Sequence, residues 1–318
     1  GYLSGSFVVP SNGISFMLTT FMDNNAGVSF YSLTDPDGTN ILTNILSSLG
    51  TWGGYGFASI LVPQTPNFSA KAGTWTFKNY SNDRVKLSLR TGSTPSAATI
   101  TVQPYITGTT WSANDIASAL SVMSNIYNKN GITLSLKDTI TISESQYATV
   151  SENFTDSATS ALVSQGSKDT VNLFFVEDQP SSETALLGVS AGLPGTMGVA
   201  SSWNGVINYL SAHATGSTLN SQLLGETAAH EMGHWLGLFH TTEANGTSFD
   251  PLSDTAQCAI SRDNDNDAKV YPEECVGYGA DNLMFWTAWS TSSQAAGKKQ
   301  ENLSSEQQYI LKYSPIAK

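Results

Sequence analysis

HEMGHWLGLFH, residues 230 to 240, holds three of the four histidines in a chain of 318 residues. On an α-helix, positions four apart lie about 40° apart around the axis, so His230 and His234 project from adjacent turns of one face. Glu231 falls about 100° from His230 and about 60° from His234, beside the point where the two imidazoles converge and not aimed at it. Gly237 can take the left-handed conformation that ends a helix without a Cβ clash, and the chain then brings His240 back to the same point. The stretch therefore demands a helix that runs to residue 237, stops sharply and returns.

Three neutral imidazoles with one open position make a catalytic zinc site, whereas structural sites are closed by four protein ligands. Zinc lowers the pKa of a water in the open position to about 7 and polarises a carbonyl oxygen beside it. Glu231 is placed to take the proton of that water and pass it to a leaving amine. The implied reaction is hydrolysis of a peptide bond without a covalent intermediate. The competing reading, a structural zinc site, leaves Glu231 without a role.

The chain is long enough for two domains. Only 13% of its residues are charged, against about 25% in an average soluble domain. The net charge of -12, from 26 acidic and 14 basic residues, argues against a nucleic-acid or anionic-membrane partner. No stretch approaches the roughly 18 apolar residues of a membrane helix, and GYLSGSFVVP lacks the basic and apolar regions of a signal peptide, so any export signal is expected to have been removed. Cys258 and Cys275 are either one disulfide or two buried thiols. A disulfide there stabilises by about 3 kcal/mol in the chain-entropy model and implies an extracellular or periplasmic home.

Residues 1–105 contain short runs with period-two alternation, SFVV, GISFMLTTF, GVSFYSL, ASILVP, GTWTFKNY and RVKLSLRTG, punctuated by turn residues such as TDPDGTN. That pattern predicts an N-terminal all-β sandwich. TVQPYITGTTWS reads as the boundary to a second domain, 106–318. Residues 112–129 place Ile116, Leu120, Met123 and Ile126 or Tyr127 on one helical face behind a Ser112 or Asn114 cap. GITLSLKDTITI alternates like a strand, and VNLFFV suits a buried one. SQLLGETAAHEMGHWLGL is helical in pattern, and a loop-rich end follows, so the second domain reads as α+β.

HEMGHWLGLFH fits HExxHxxGxxH, and the chain resembles the metzincin zinc metallopeptidases, whose second mark is a methionine in a tight turn under the metal. Met284, in DNLMFW, stands at that place. HEMGHWLGLFHT, DPLSDTAQC, the Cys258 and Cys275 pair and Asn282-Leu283-Met284 look most like the pappalysin family, over roughly residues 170–290. LTDPDGTN and GTWTFKNYSN look like the small β-sandwich accessory domains, of the pre-peptidase or P-domain kind, beside secreted peptidases. The resemblance implies a metzincin catalytic domain with a long zinc-binding helix and a Met-turn. It further implies LLGVSAGLPG as the substrate-binding edge, and a secreted zinc endopeptidase acting on proteins or peptides. Where these families usually carry a tyrosine two residues after the methionine, this chain has Trp286, whose indole N–H donates but does not ionise; Tyr271 and Tyr278 are the alternatives. An adhesin or glycan-binding protein with a non-catalytic zinc domain is the other functional reading. A monomer is expected.

DNDNDAKVYPEE, residues 263–274, carries oxygen donors at EF-hand spacing: Asp263, Asp265, Asp267, the Lys269 carbonyl and Glu274. Ala268 replaces the usual glycine, which strains the turn. The loop is expected to bind calcium or to be a solvated acidic loop. His213 reads as a surface or loop histidine over a substrate contact, Glu226, one turn before His230, as an acceptor that orients a metal ligand or an exposed helix glutamate, and Asp250 and Asp254 as acids holding calcium or local structure.

Overall fold

Among the described residues, seven strands and one short helix form before position 92: β1 (Tyr2–Val9), β2 (Gly13–Phe21), β3 (Gly27–Thr34), α1 (Ile41–Asn44), β4 (Gly53–Tyr55), β5 (Phe57–Val62), β6 (Gly73–Tyr80) and β7 (Arg84–Thr91). The computed structural model of the protein describes residues 2–22, 26–44, 53–80, 84–183, 186–289 and 297–318, so the end of GTWTFKNYSN lies outside the described residues. The strands pair antiparallel in two sheets, β1-β6-β3-β4 and β5-β2-β7. Alternate side chains of both sheets meet in one core. Phe16 contacts Phe7 and Trp75 edge-on, with ring centroids 5.0 and 4.9 Å apart, and Trp75 is fully buried.

The second sheet of that pair is buried on both faces. Phe16, Leu18, Ala58, Ile60 and Val62 face the N-terminal core. Met17 and Leu61, one residue out of phase, enter the larger core formed by the rest of the chain. Period two in β2 and β5 thus bridges two cores and does not divide inside from solvent.

The larger unit is built on a six-stranded sheet. Its strands are β8 (Ala98–Thr107), β9 (Ile132–Leu136), β10 (Ile140–Ile142), β11 (Val171–Val176), β12 (Gly188–Ser190) and β13 (Val206–Tyr209), in the order β10-β8-β11-β13-β12 with β9 also on β8. Every pair is parallel except β12 with β13. Two expectations need correction. TVQPYIT is the second half of β8, so the change of sheet falls between residues 91 and 98 and not at 105. Once β8 is restored, strand, α2 (Ala113–Lys129) and β9 make a parallel crossover, and the sheet is of mixed α/β type where α+β was expected.

Helix α2 starts behind Ser112, which exchanges bonds with Asp115 in a capping box. It packs along α4 (Ser221–Trp235), the helix that carries the histidines. At Gly225 the two approach so closely that a Cβ would stand 2.6 Å from Val122 and 2.7 Å from the Ala119 carbonyl oxygen. The buried Tyr127 hydroxyl donates to the Ala229 carbonyl at 2.9 Å. Helix α3 (Ser157–Val163) covers the far face of the sheet, with Leu162 and Val163 packed against Phe174 and Ile207. The end of the chain is not all loop, since α5 (Ser305–Tyr313) rises behind a Ser304–Gln307 capping box. Cys258 and Cys275 are disulfide-bonded in the segment between α4 and α5. Among the described residues no helix is long and apolar enough to cross a membrane.

Removing only the hydroxyl that clamps α2 to the histidine helix, Tyr127→Phe, is expected to cost about 1 kcal/mol. Urea denaturation should show it as a lower midpoint with an unchanged slope.

Candidate metal centre

Helix α4 ends as its sequence demands. Gly237 sits at φ 108°, its N–H donates to the His234 carbonyl and the Leu238 N–H to the Gly233 carbonyl, both at 2.9 Å. These are the two bonds of a Schellman motif, and they turn the chain so that His240 faces the helix. His240 Nε2 lies 3.0 Å from His234 Nε2 and 3.3 Å from His230 Nε2. Ligands about 2.05 Å from a tetrahedral ion stand about 3.3 Å from one another, so the three nitrogens fit one zinc.

Each ring is aimed by its other nitrogen. Nδ1 of His230 meets the Leu283 carbonyl at 2.7 Å, Nδ1 of His234 the Leu238 carbonyl at 2.8 Å, and Nδ1 of His240 the Glu243 carboxylate at 3.0 Å. That fixes the tautomer with a lone pair on every Nε2. Burial pushes His230 down to about 3, helped by the neighbouring His240 and opposed by the Leu283 bond. Burial likewise holds His234 well below the usual imidazole range. Neutral rings are what a metal requires.

Glu231 lies beside the triad as its place on the helix requires. Its side chain packs near Gly188, where an added Cβ would stand 2.9 Å from Glu231 Cγ. Burial pushes the carboxyl up to about 8, while the Ser190 N–H bonded to it pulls the other way. A cation held among the imidazoles would favour the charged form.

The opposite wall comes from the Asn282–Trp286 turn. Met284 is fully buried, and its Sδ lies 2.6 Å from where a Cβ on Gly233 would sit, directly under the helix between two of the histidines. Asn282 Oδ1 receives the Met284 N–H at 2.8 Å, and its amide pairs with Gln307 of α5. A cleft of about 380 Å³ opens between helix and turn, lined among others by Leu187, Gly188, Thr227, Glu231, Phe285, Trp286 and Ala288. The Trp286 indole N–H donates to the Val270 carbonyl at 2.6 Å, so it is not free to replace a tyrosine hydroxyl at the metal. Tyr271 packs against the Trp286 ring, and Tyr278 lies under the Arg262 guanidinium.

His213 is buried, not at the surface: Nδ1 contacts the Tyr209 carbonyl and Nε2 the Thr227 hydroxyl. Glu226 is also buried, pushed up by desolvation, and bonded to Gln222 and not to a histidine. Asp250 accepts from Leu252 and Thr255, and Asp254 caps the start of α5 at Glu306. Asp263, Asp265 and Asp267 gather with carboxylate oxygens within 4.8 Å of one another. Glu274 stays outside that group and closes the loop through the Asn264 and Tyr271 N–H groups, while Lys269 gives its N–H to Asp267. Ala268 takes φ 67°, the left-handed conformation expected where a glycine is missing.

Three supports escaped the sequence reading. Glu243 stands three residues past His240 and is visible as a nearby acid. Ser304 and Gln307 form the S-x-x-Q signature of a helix start. The carbonyls of Leu238 and Leu283 leave no mark in a sequence.

Residues 113–241 match the profile of the Metallo-peptidase family M12B, Reprolysin-like. Two extracellular metalloproteases of Colletotrichum graminicola are similar, one 38% identical over 111 residues, covering 31% of this chain and 37% of that protein, the other 27% identical over 185 residues, covering 53% and 64%. An extracellular metalloprotease of Pyricularia oryzae is 28% identical over 185 residues, covering 53% of this chain and 62% of its own. The chain thus spans less than two thirds of the length of each of these relatives. Among solved structures, archaemetzincin from Methanopyrus kandleri is distantly similar, with TM-score 0.37, 11% identity and coverage of 68% of this chain and 94% of that one. Metalloproteinase-II from Bacteroides fragilis has TM-score 0.31, 15% identity and coverage of 49% and 47%.

Glu243→Ala removes the carboxylate that orients His240, and zinc affinity is expected to fall about tenfold, the lower end of the effect of outer partners. Competition with a fluorescent chelator measures it; an unchanged affinity would mean that the turn alone orients the ring.

Proposed function

We propose that the protein is a secreted zinc-dependent endopeptidase of pappalysin type, with an N-terminal β-sandwich domain followed by a catalytic domain. The observation that carries this is the set of three imidazoles, each anchored at Nδ1, whose Nε2 atoms converge beside the half-buried carboxyl of Glu231. His230, His234 and His240 would hold a zinc ion, which when bound would supply a Lewis acid for the scissile carbonyl and for a water. Glu231 removes the proton of the attacking water and returns it to the departing amine. Desolvation of this carboxyl strengthens its electrostatic coupling to charge that develops next to it. The substrate backbone lies along β12, whose free edge faces the cleft, and Leu187, Phe285 and Trp286 receive a side chain beside the scissile bond.

The pappalysin assignment is supported by HEMGHWLGLFHT, by the Cys258–Cys275 disulfide and by Met284 under the helix, which we take as the Met-turn. The curated relatives are extracellular metalloproteases, in keeping with secretion and a disulfide. Asp263, Asp265 and Asp267 are proposed to take calcium, with the Lys269 carbonyl and Glu274 completing or closing the loop. The protein is proposed to act as a monomer on protein or peptide substrates. A non-catalytic adhesin would leave Glu231 half-buried beside the metal ligands with no task.

Glu231→Gln should retain one zinc per chain and lose at least about 100-fold in caseinolytic rate. Casein cleavage by that variant at the wild-type rate would sink the mechanism. Calcium should raise the melting temperature of the wild-type protein and have no such effect on the Asp265→Asn/Asp267→Asn double variant, as read by differential scanning fluorimetry.

A further inference from the structure

The turn that delivers His240 is packed from outside the unit that contains it. Leu61, near the end of β5, places its Cδ2 2.8 Å from where a Cβ on Gly237 would sit. It is 1% exposed and belongs to the same core as Trp235, Leu236 and Leu238. Gln64, just past β5, lines a narrow void with Gly237, Leu238 and Phe239, and is itself 1% exposed. Neither its Nε2 nor its Oε1 has a protein partner. Four residues before Leu61, on the same face of β5, Phe57 packs its ring where a Cβ on Gly192 would come within 2.5 Å, immediately after the edge strand whose Ser190 N–H holds Glu231.

We propose that Leu61 is a positioning residue for the metal, acting through the Gly237 turn, and that β5 makes the N-terminal sheets part of the catalytic apparatus. The Schellman bonds of Gly237 and Leu238 set the direction of the turn, but they leave its outer side open. Leu61 fills that side. The Leu238 carbonyl, which aims His234, and the backbone leading to His240 are thereby pressed toward the helix. Loss of the leucine side chain lets the turn relax outward into the vacated space, moving two of the three ligands at once. Ile60, on the opposite face of the same strand, is equally buried but faces the N-terminal core. Its loss has no path to the turn.

This inference rests on the reading of the three histidines as zinc ligands, and its test does not depend on peptidase activity. Zinc dissociation constants of the full chain are measured by chelator competition for wild type, Leu61→Ala, Leu61→Val, Leu61→Met and Ile60→Ala, with melting temperatures recorded in parallel. Leu61→Ala is expected to weaken zinc binding by about 10- to 100-fold, the range for groups that orient metal ligands. Leu61→Val should show a smaller loss, Leu61→Met should bind as wild type, and Ile60→Ala should stay within about twofold although its melting temperature falls. If Leu61→Ala does not fold, the comparison of Leu61→Val with Ile60→Ala decides. Wild-type zinc affinity in the Leu61 variants, or an equal loss in Ile60→Ala, overturns the proposal. A wild-type protein that binds zinc with this pattern but does not cleave casein would overturn the peptidase reading and leave this one standing.

Discussion

Three imidazoles, with His240 Nε2 only 3.0 and 3.3 Å from the Nε2 atoms of His234 and His230, are a demanding arrangement, because burial and the nearness of the rings disfavour a proton on His230 and His234. A metal ion makes that arrangement favourable, and the protein has to hold the rings ready for it. The rest of the structure can be read as the means of doing so. Two of the three anchors are main-chain carbonyls, one from the Gly237 turn and one from the Met284 turn. Backbone position, and not side-chain choice, therefore sets the geometry of the centre. Each turn is in turn braced: Gly237 by Leu61, Met284 by the Asn282–Gln307 pair.

Much of the centre was legible in the sequence because it is local. His230, Glu231, His234, Gly237 and His240 lie within eleven residues, and the period of one helix plus one glycine determines how they face each other. The strands of the N-terminal sheets were legible for a similar reason, since alternation and turn residues are short-range signals. What was hidden is what depends on partners far along the chain. β8 was read in part as a linker because its proline and threonines suggest a break, while its partners β9, β10 and β11 make it the middle of a sheet. With β8 missing, the parallel crossover through α2 could not be recognised.

His213 and Glu226 show the same limit from the side of burial. His213 was expected at the surface and Glu226 either there or against a histidine, yet each is covered by elements that arrive later in the chain, His213 by Thr227 of α4 and Glu226 by the segment around Gln300. Trp286 stands where the resembling families usually carry a tyrosine, a departure the sequence shows without showing what the indole does instead. Its N–H is taken up by Val270, a residue sixteen positions earlier whose carbonyl no pattern could have located.

That last bond has a further consequence. The two walls of the cleft have unlike foundations: one is the edge strand β12, knitted into the central sheet, and the other is Trp286, hung from a segment that the Cys258–Cys275 bridge fastens. Heat that melts the sheet removes both, whereas a reductant loosens only the second. The histidines are carried by α4 and its turn, but the Leu283 carbonyl that aims His230 belongs to the same turn as Trp286. Redox conditions therefore act first on the Trp286 wall of the cleft and, through Leu283, on one anchor of the ligand set, while the Leu238 carbonyl that aims His234 stays with the turn that ends α4.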